Sequence, residues 1–207
     1  MSNFQKRFFT SIIALPLSIF FVVKGGSFLA FFLFLIFFIG MYELFSVFKK
    51  IKSITFLSLI IILSLFSIYY LREHTEHLLY FAIAVTISSD VGGYIFGKIF
   101  KWKKLTKISP KKTYSGVFGS YLVSIFCLFI WAEFIPSGFQ VNLKGFLLTI
   151  IFSTVAQVGD LIISYFKRLE KIKDTGKVLP GHGGIFDRID GLMFVVIIAT
   201  IYYQLQI

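Results

Sequence analysis

Apolar runs of about 18 residues or more, the length that crosses the hydrocarbon of a bilayer, recur along the whole sequence. A chain built this way cannot be a soluble domain. It is 57% hydrophobic and 15% charged, with a mean hydropathy of +0.86, and so lacks the polar surface needed to stay dispersed in water. The pattern predicts an all-α polytopic transmembrane bundle of about seven spanning helices. The expected spans are Phe8–Val23, Phe28–Phe48, Ile54–Leu71, Leu78–Gly97, Val117–Ile135, Phe146–Phe166 and Ile189–Tyr203.

The first run, preceded by Lys6 and Arg7, has the outline of a signal peptide. No convincing small-x-small cleavage site follows it, so it is expected to remain as a first helix. Lys24-Gly25-Gly26-Ser27 leaves room for only a tight hairpin before the next span. No repeat or low-complexity linker divides the chain, so residues 1–207 are expected to form one membrane domain. Within it, 1–77 supplies N-terminal helices and 78–207 the chemically loaded half.

Charge sets an expected orientation. With the N-terminus in the cytoplasm and spans alternating, all but Lys24, Arg72 and Lys144 of the 21 Lys and Arg fall on the inner side. The C-terminus then lies outside. A basic balance of 21 Lys+Arg against 10 Asp+Glu would suggest nucleic acid in a soluble protein. Here the charge lies in short loops between spans, which argues for membrane orientation and anionic headgroups, and against nucleic acid. The one cysteine, Cys127, sits in an apolar run and reads as a small buried hydrophobe.

Carboxylates inside or beside apolar segments are costly and tend to have a partner or a task. Glu43, Asp90, Asp160, Asp187 and Asp190 are such residues. Glu43, shortly before Lys49 and Lys50, reads equally as a paired helix-end carboxylate. Asp160, Ser164, Lys167 and Arg168 recur at i, i+4, i+7 and i+8, one polar stripe down the inner end of a helix. Asp90, Tyr94 and Gly97 make a similar stripe, and Asp187 and Asp190 project from one face at the start of the last helix. Three helices thereby bring carboxylates to one membrane face, and carboxylates with phosphates and waters are what Mg²⁺ takes as ligands.

Two inner loops are long and basic. In Lys173–Gly184, glycines around His182 allow close backbone approach to an anion, while Lys167, Arg168, Lys173 and Arg188 supply positive charge. This is not a Walker loop, since no Gly-Lys-Ser/Thr follows; a plain turn is the simpler alternative to a phosphate site. In the other loop Lys101, Lys103, Lys104 and Lys107 read as an anchor on acidic lipid. Lys111 and Lys112, just before a helix N-terminus, are placed to reach a phosphate. His74 and His77, near Glu73 and Glu76, read as a solvated outer loop rather than a metal site, and Gly93-x3-Gly97 as a packing motif.

Ser164-Tyr165-Phe166-Lys167-Arg168, then Lys173-Asp174, then Leu179-Pro180-Gly181-His182-Gly183-Gly184-Ile185-Phe186-Asp187-Arg188-Ile189-Asp190 resembles the signature of the phosphatidate cytidylyltransferase family. Ser88-Ser89-Asp90-Val91-Gly92-Gly93-Tyr94 with Gly97, and Ser109-Pro110-Lys111-Lys112-Thr113, agree with it. Ser115 departs, standing where the family usually has an acidic residue, and the first half is shorter than in typical members.

The resemblance implies transfer of CMP from CTP to phosphatidic acid, with Mg²⁺ as cofactor and a dimer as assembly. Its implied metal ligands are Asp160, Asp187 and Asp190, then Asp90 and Asp174. Lys167, Arg168, Lys173 and Arg188, with Asp187, would be the catalytic set. Ser164, Lys111, Lys112, His182, Gly183 and Gly184 would line the substrates. The implied location is a bacterial inner (plasma) membrane. Other lipid phosphates as acceptors, or a transporter with ion-carrying carboxylates, are the competing readings; clustering of polar residues at one face disfavours the transporter.

Overall fold

The computed structural model describes residues 3–135, 139–176 and 183–206. They form seven helices: α1 Asn3–Lys24, α2 Gly26–Val47, α3 Ile51–His74, α4 Glu76–Phe100, α5 Tyr114–Phe134, α6 Leu143–Leu169 and α7 Phe186–Gln204. The seven expected spans coincide with these helices one for one. Five of them, α2 to α6, are long and apolar enough to cross a membrane. The protein is a polytopic membrane helical bundle. α7, at 19 residues, opens on the charged Asp187, Arg188 and Asp190, which lowers its hydropathy.

Helix ends follow local chemistry. The α1–α2 reversal uses one non-helical residue, Gly25, at φ 66°, a left-handed conformation that favours glycine. Its missing side chain also leaves space for Arg72, whose guanidinium carbon would stand 3.2 Å from a Cβ there. Arg72 donates to the carbonyls of Val22 (2.8 Å) and Val23 (2.6 Å), answering the unpaired C-terminal carbonyls of α1 with a cation. Glu73 accepts from the Gly26 N–H at 3.0 Å, fastening the start of α2 to the same corner. Thr113 and Asn142 cap α5 and α6 by accepting from the N–H groups of Gly116 and Gly145.

Helix α7 packs against α3, α4 and α6, and α4 packs along α5. The α4–α5 seam is closed by small residues. A Cβ on Gly92 or Gly119 would collide with the backbone of the other helix, and one on Gly93 would come 2.8 Å from the Ser120 hydroxyl. Gly93-x3-Gly97 is thus the packing motif expected of it. One apolar core joins Phe81, Val85, Leu128, Phe152 and Val196 across α4 to α7. The other joins Leu44, Leu57, Ile61, Ile163, Phe186 and Met193, and forms the floor on which the charged end of the bundle stands. Outward faces stay apolar, as with Phe28, Phe31, Phe34, Phe38 and Phe45 on α2, a helix hydrophobic all round.

Candidate active site

The α6 stripe folds as its spacing requires, and Asp160, Lys167 and Arg168 each find a partner beyond the helix. Asp160 meets Lys112 of the α4–α5 loop, Nζ to Oδ2 at 2.7 Å, and accepts from Ser164 one turn on, at 3.3 Å. Lys112 also donates to the Gln157 carbonyl at 3.0 Å. Lys167, 9% exposed, reaches Asp187 Oδ1 on α7 at 2.8 Å. Arg168 donates to the carbonyls of Ile108 (3.3 Å) and Ile172 (2.9 Å), tying one basic loop to the other.

Asp187 is the knot of the signature. Its Oδ2 accepts from the Thr175 N–H (2.8 Å), the Thr175 hydroxyl (3.0 Å) and the Gly184 N–H (3.2 Å). With Lys167 on Oδ1, the carboxylate accepts four bonds, three on one oxygen and one on the other. Both ends of the 173–184 segment are therefore pinned to one side chain. Asp187 thereby holds the loop and orients Lys167, the one donor on Oδ1. Gly183, at φ 90°, fits because a side chain would crowd Asp187.

Two glutamates complete the scaffold. Glu43, 1% exposed on α2, accepts from the Ile185 N–H at 2.7 Å. Its carboxylate fills the space that Cβ atoms on Gly176 and Gly184 would need, 2.5 Å and 2.7 Å away. It pairs with the signature backbone, not with Lys49 or Lys50 as one reading of the sequence had it. Those two residues turn their N–H groups to Glu170, just past α6, which also accepts from the Ser53 hydroxyl at 3.0 Å. Glu170 thereby caps α3, whose own cap residue Lys50 makes no side-chain cap bond. Position alone did not reveal Glu170 or Thr175, whose value lies in contacts across the fold. Glu43 carried a signal, a carboxylate inside an apolar run.

Asp160 lies within electrostatic reach of both Asp90 and Asp190, and Lys112 and Lys167 bear on the same group. Asp90 is exposed and, among the described residues, forms no ion pair or hydrogen bond; Asp190 accepts from the Gly191 N–H at 2.8 Å. Lys112 answers one of these three carboxylates and Lys167 is engaged by Asp187. The remaining negative charge suits a divalent cation. Among the described residues no three such groups close into a ready-made ligand set. Mg²⁺ does not need one, since it usually takes one or two carboxylates plus substrate phosphates.

Of the remaining expected residues, Lys111, Lys173, Asp174 and Arg188 are exposed. Asp174 stands beside Gly183, its Cβ 3.7 Å from where a side chain would begin, on the Asp187 side. His182 lies outside the described residues. Ser115 is buried, bonded to Thr113 at 3.0 Å and accepting from the Trp102 N–H at 3.4 Å. In place of an acidic group it closes the α5 cap.

Comparison with known proteins decides the kinship. The sequence profile of the Cytidylyltransferase family matches residues 46–206, most of the chain. The chain belongs to the cytidylyltransferase family. It is similar to the phosphatidate cytidylyltransferase of Staphylococcus epidermidis, 44% identical over 117 residues, covering 56% of this chain and 45% of the relative. That of Staphylococcus haemolyticus is 41% identical over 121 residues (58% and 46%), and that of Staphylococcus aureus 40% over 122 residues (58% and 46%). The chain thus spans about half the length of the curated relatives it matches. Glu43 lies just before the matched stretch yet holds the signature from α2.

Proposed function

We propose that the chain transfers CMP from CTP to phosphatidic acid, giving CDP-diacylglycerol and pyrophosphate. An oxygen of the lipid phosphate forms a bond to the α-phosphorus of CTP, and the bond from that phosphorus to the bridging oxygen of pyrophosphate breaks. The nucleophile is already ionised, so no strong base is called for. The protein's task is to hold two polyanions in line and offset their charge. One observation carries the reading: the Lys167–Asp187 pair, with Thr175 and Gly184 on the same carboxylate, orders the charged end of a chain similar to relatives named phosphatidate cytidylyltransferase.

Lys111, Lys173, Arg168 and Arg188 supply cationic edges for phosphates, and Lys112 and Ser164 fix Asp160. Asp90, Asp160 and Asp190 would hold Mg²⁺, which when bound offsets charge on the phosphates. The lipid tails stay in the bilayer while the headgroup meets CTP at the basic end of the bundle. By the bias of Lys and Arg that end is cytoplasmic, with the N-terminus on the same side, in a bacterial plasma membrane.

The test supplies the purified protein with CTP and, in turn, phosphatidic acid, a polyprenyl phosphate and an isoprenoid-ether phosphate, and reads lipid products by mass. A CDP-lipid from phosphatidic acid in clear preference is expected. Equal or better use of another acceptor overturns the substrate assignment. The mass of the same preparation in detergent reads out the dimer that the resemblance implies.

A further inference from the structure

The α4–α5 loop carries Lys101, Lys103, Lys104, Lys107, Lys111 and Lys112 without one acidic residue, and Lys98 lies in the last turn of the helix before it. Only Lys112 among them forms an ion pair within the described residues. So many like charges in a floppy segment would spread apart, yet this one is folded. Leu105 N–H donates to the Lys112 carbonyl at 2.8 Å, Tyr114 N–H to Lys103 at 3.1 Å, and Lys112 N–H to Ser109 at 3.0 Å. Lys101 adopts a left-handed turn at φ 49°. The fold thus holds the exposed Lys101, Lys103, Lys104, Lys107 and Lys111 on one short ordered loop, with no carboxylate partner among the described residues.

Beside them stands an exposed aromatic group. Trp102 is 55% exposed, stacked on Phe118 at 6.5 Å and 6.3 Å from Phe100. Amphipathic rings next to lysines at helix ends are what a protein places in the headgroup layer. A shallow recess of about 370 Å³, lined by Lys104, Leu105, Thr106, Lys107 and Pro110, opens in the same loop.

We propose that this loop is an accessory binding surface for anionic phospholipid headgroups, separate from the carboxylate group around Asp160. Charge complementarity selects the headgroup, because the ammonium groups lack anions of their own and lipid phosphates lie in the same plane. The exposed rings of Trp102, Phe100 and Phe118 select a lipid over a soluble nucleotide, which gives them no reason to be bare. Binding here needs no cytidylyl transfer. If the proposed function holds, the surface also gathers acidic lipid near Lys112, which links the loop to Asp160.

The protein has two tryptophans, so Trp131→Phe leaves Trp102 as the sole reporter. The protein is placed in phosphatidylcholine vesicles containing a small fraction of lipid brominated on its acyl chains, either phosphatidylglycerol or phosphatidylcholine, without CTP. Brominated phosphatidylglycerol should quench Trp102 about tenfold more effectively than the zwitterionic lipid, an advantage high salt removes. The same advantage should vanish in Lys101→Gln/Lys103→Gln/Lys104→Gln/Lys107→Gln, whose changes are all at exposed positions. Equal quenching by the two lipids, or an advantage that survives both salt and the lysine changes, overturns the proposal. So does relief of the quenching by CTP, which would place the lipid in the nucleotide site.

Discussion

The ammonium of Lys167 on α6 meets the carboxylate of Asp187 on α7 at 2.8 Å, both side chains about nine-tenths buried. The second oxygen of Asp187 holds Thr175 and Gly184. One carboxylate therefore joins two helices and both ends of the signature loop. Removing one partner leaves a buried charge unanswered, so Lys167→Met or Asp187→Leu alone should cost about 3 kcal/mol. The double variant should recover part of that, because no lone charge remains. Melting in detergent reads the stability, and activity should stay lost in all three.

Glu43 should behave as a holder of the loop, not as a reacting group. Glu43→Gln keeps an acceptor for the Ile185 N–H and should retain most activity. Glu43→Ala strands a buried donor at a cost of about 1–3 kcal/mol. Hydrogen exchange at the Ile185 amide should rise in the alanine variant and stay near wild type in the glutamine one. A reacting role for the carboxylate would instead abolish turnover in both.

The α4–α5 seam predicts a steric result. Gly92→Leu or Gly119→Leu places a side chain where the partner backbone lies, and should lower the melting temperature sharply or prevent folding. Phe126→Leu, on an exposed outward position, should leave melting nearly unchanged.

Acid should loosen the α6–α3 junction. Burial opposes charge on Glu170, but the Lys50 N–H, the Ser53 hydroxyl and the Lys49 N–H outweigh it and hold its carboxyl below the ordinary glutamate range. A group with a depressed folded value contributes stability that is present above its unfolded value and lost as pH falls through the folded one. Melting temperature should therefore drop on acidification below the usual glutamate range, and Glu170→Gln should drop less over that window while starting lower at neutral pH. Identical acid profiles would contradict the junction's role.

Much of this was legible in the sequence, for definite reasons. Hydrocarbon thickness fixes span length, so seven runs became seven helices, and the three-to-four-residue period placed Asp160, Ser164 and Lys167 on one stripe. Partner choice was not legible. Lys112 reaching Asp160, or Glu170 capping α3, depends on how distant segments meet, which no local spacing encodes. Asp187 shows the same limit: its motif position marked it, but not its bonds to Lys167, Thr175 and Gly184. Glu43 was half legible, marked by its cost in an apolar run but not by its partner, the Ile185 backbone.

The most direct test follows pyrophosphate release from CTP and Mg²⁺ by the detergent-purified protein, with and without phosphatidic acid. Release that requires phosphatidic acid, ceases on chelation and is lost in Asp160→Asn is the expected result. Absence of release from folded protein across lipid acceptors, or release indifferent to phosphatidic acid and to Asp160→Asn, would contradict cytidylyl transfer at this group of carboxylates.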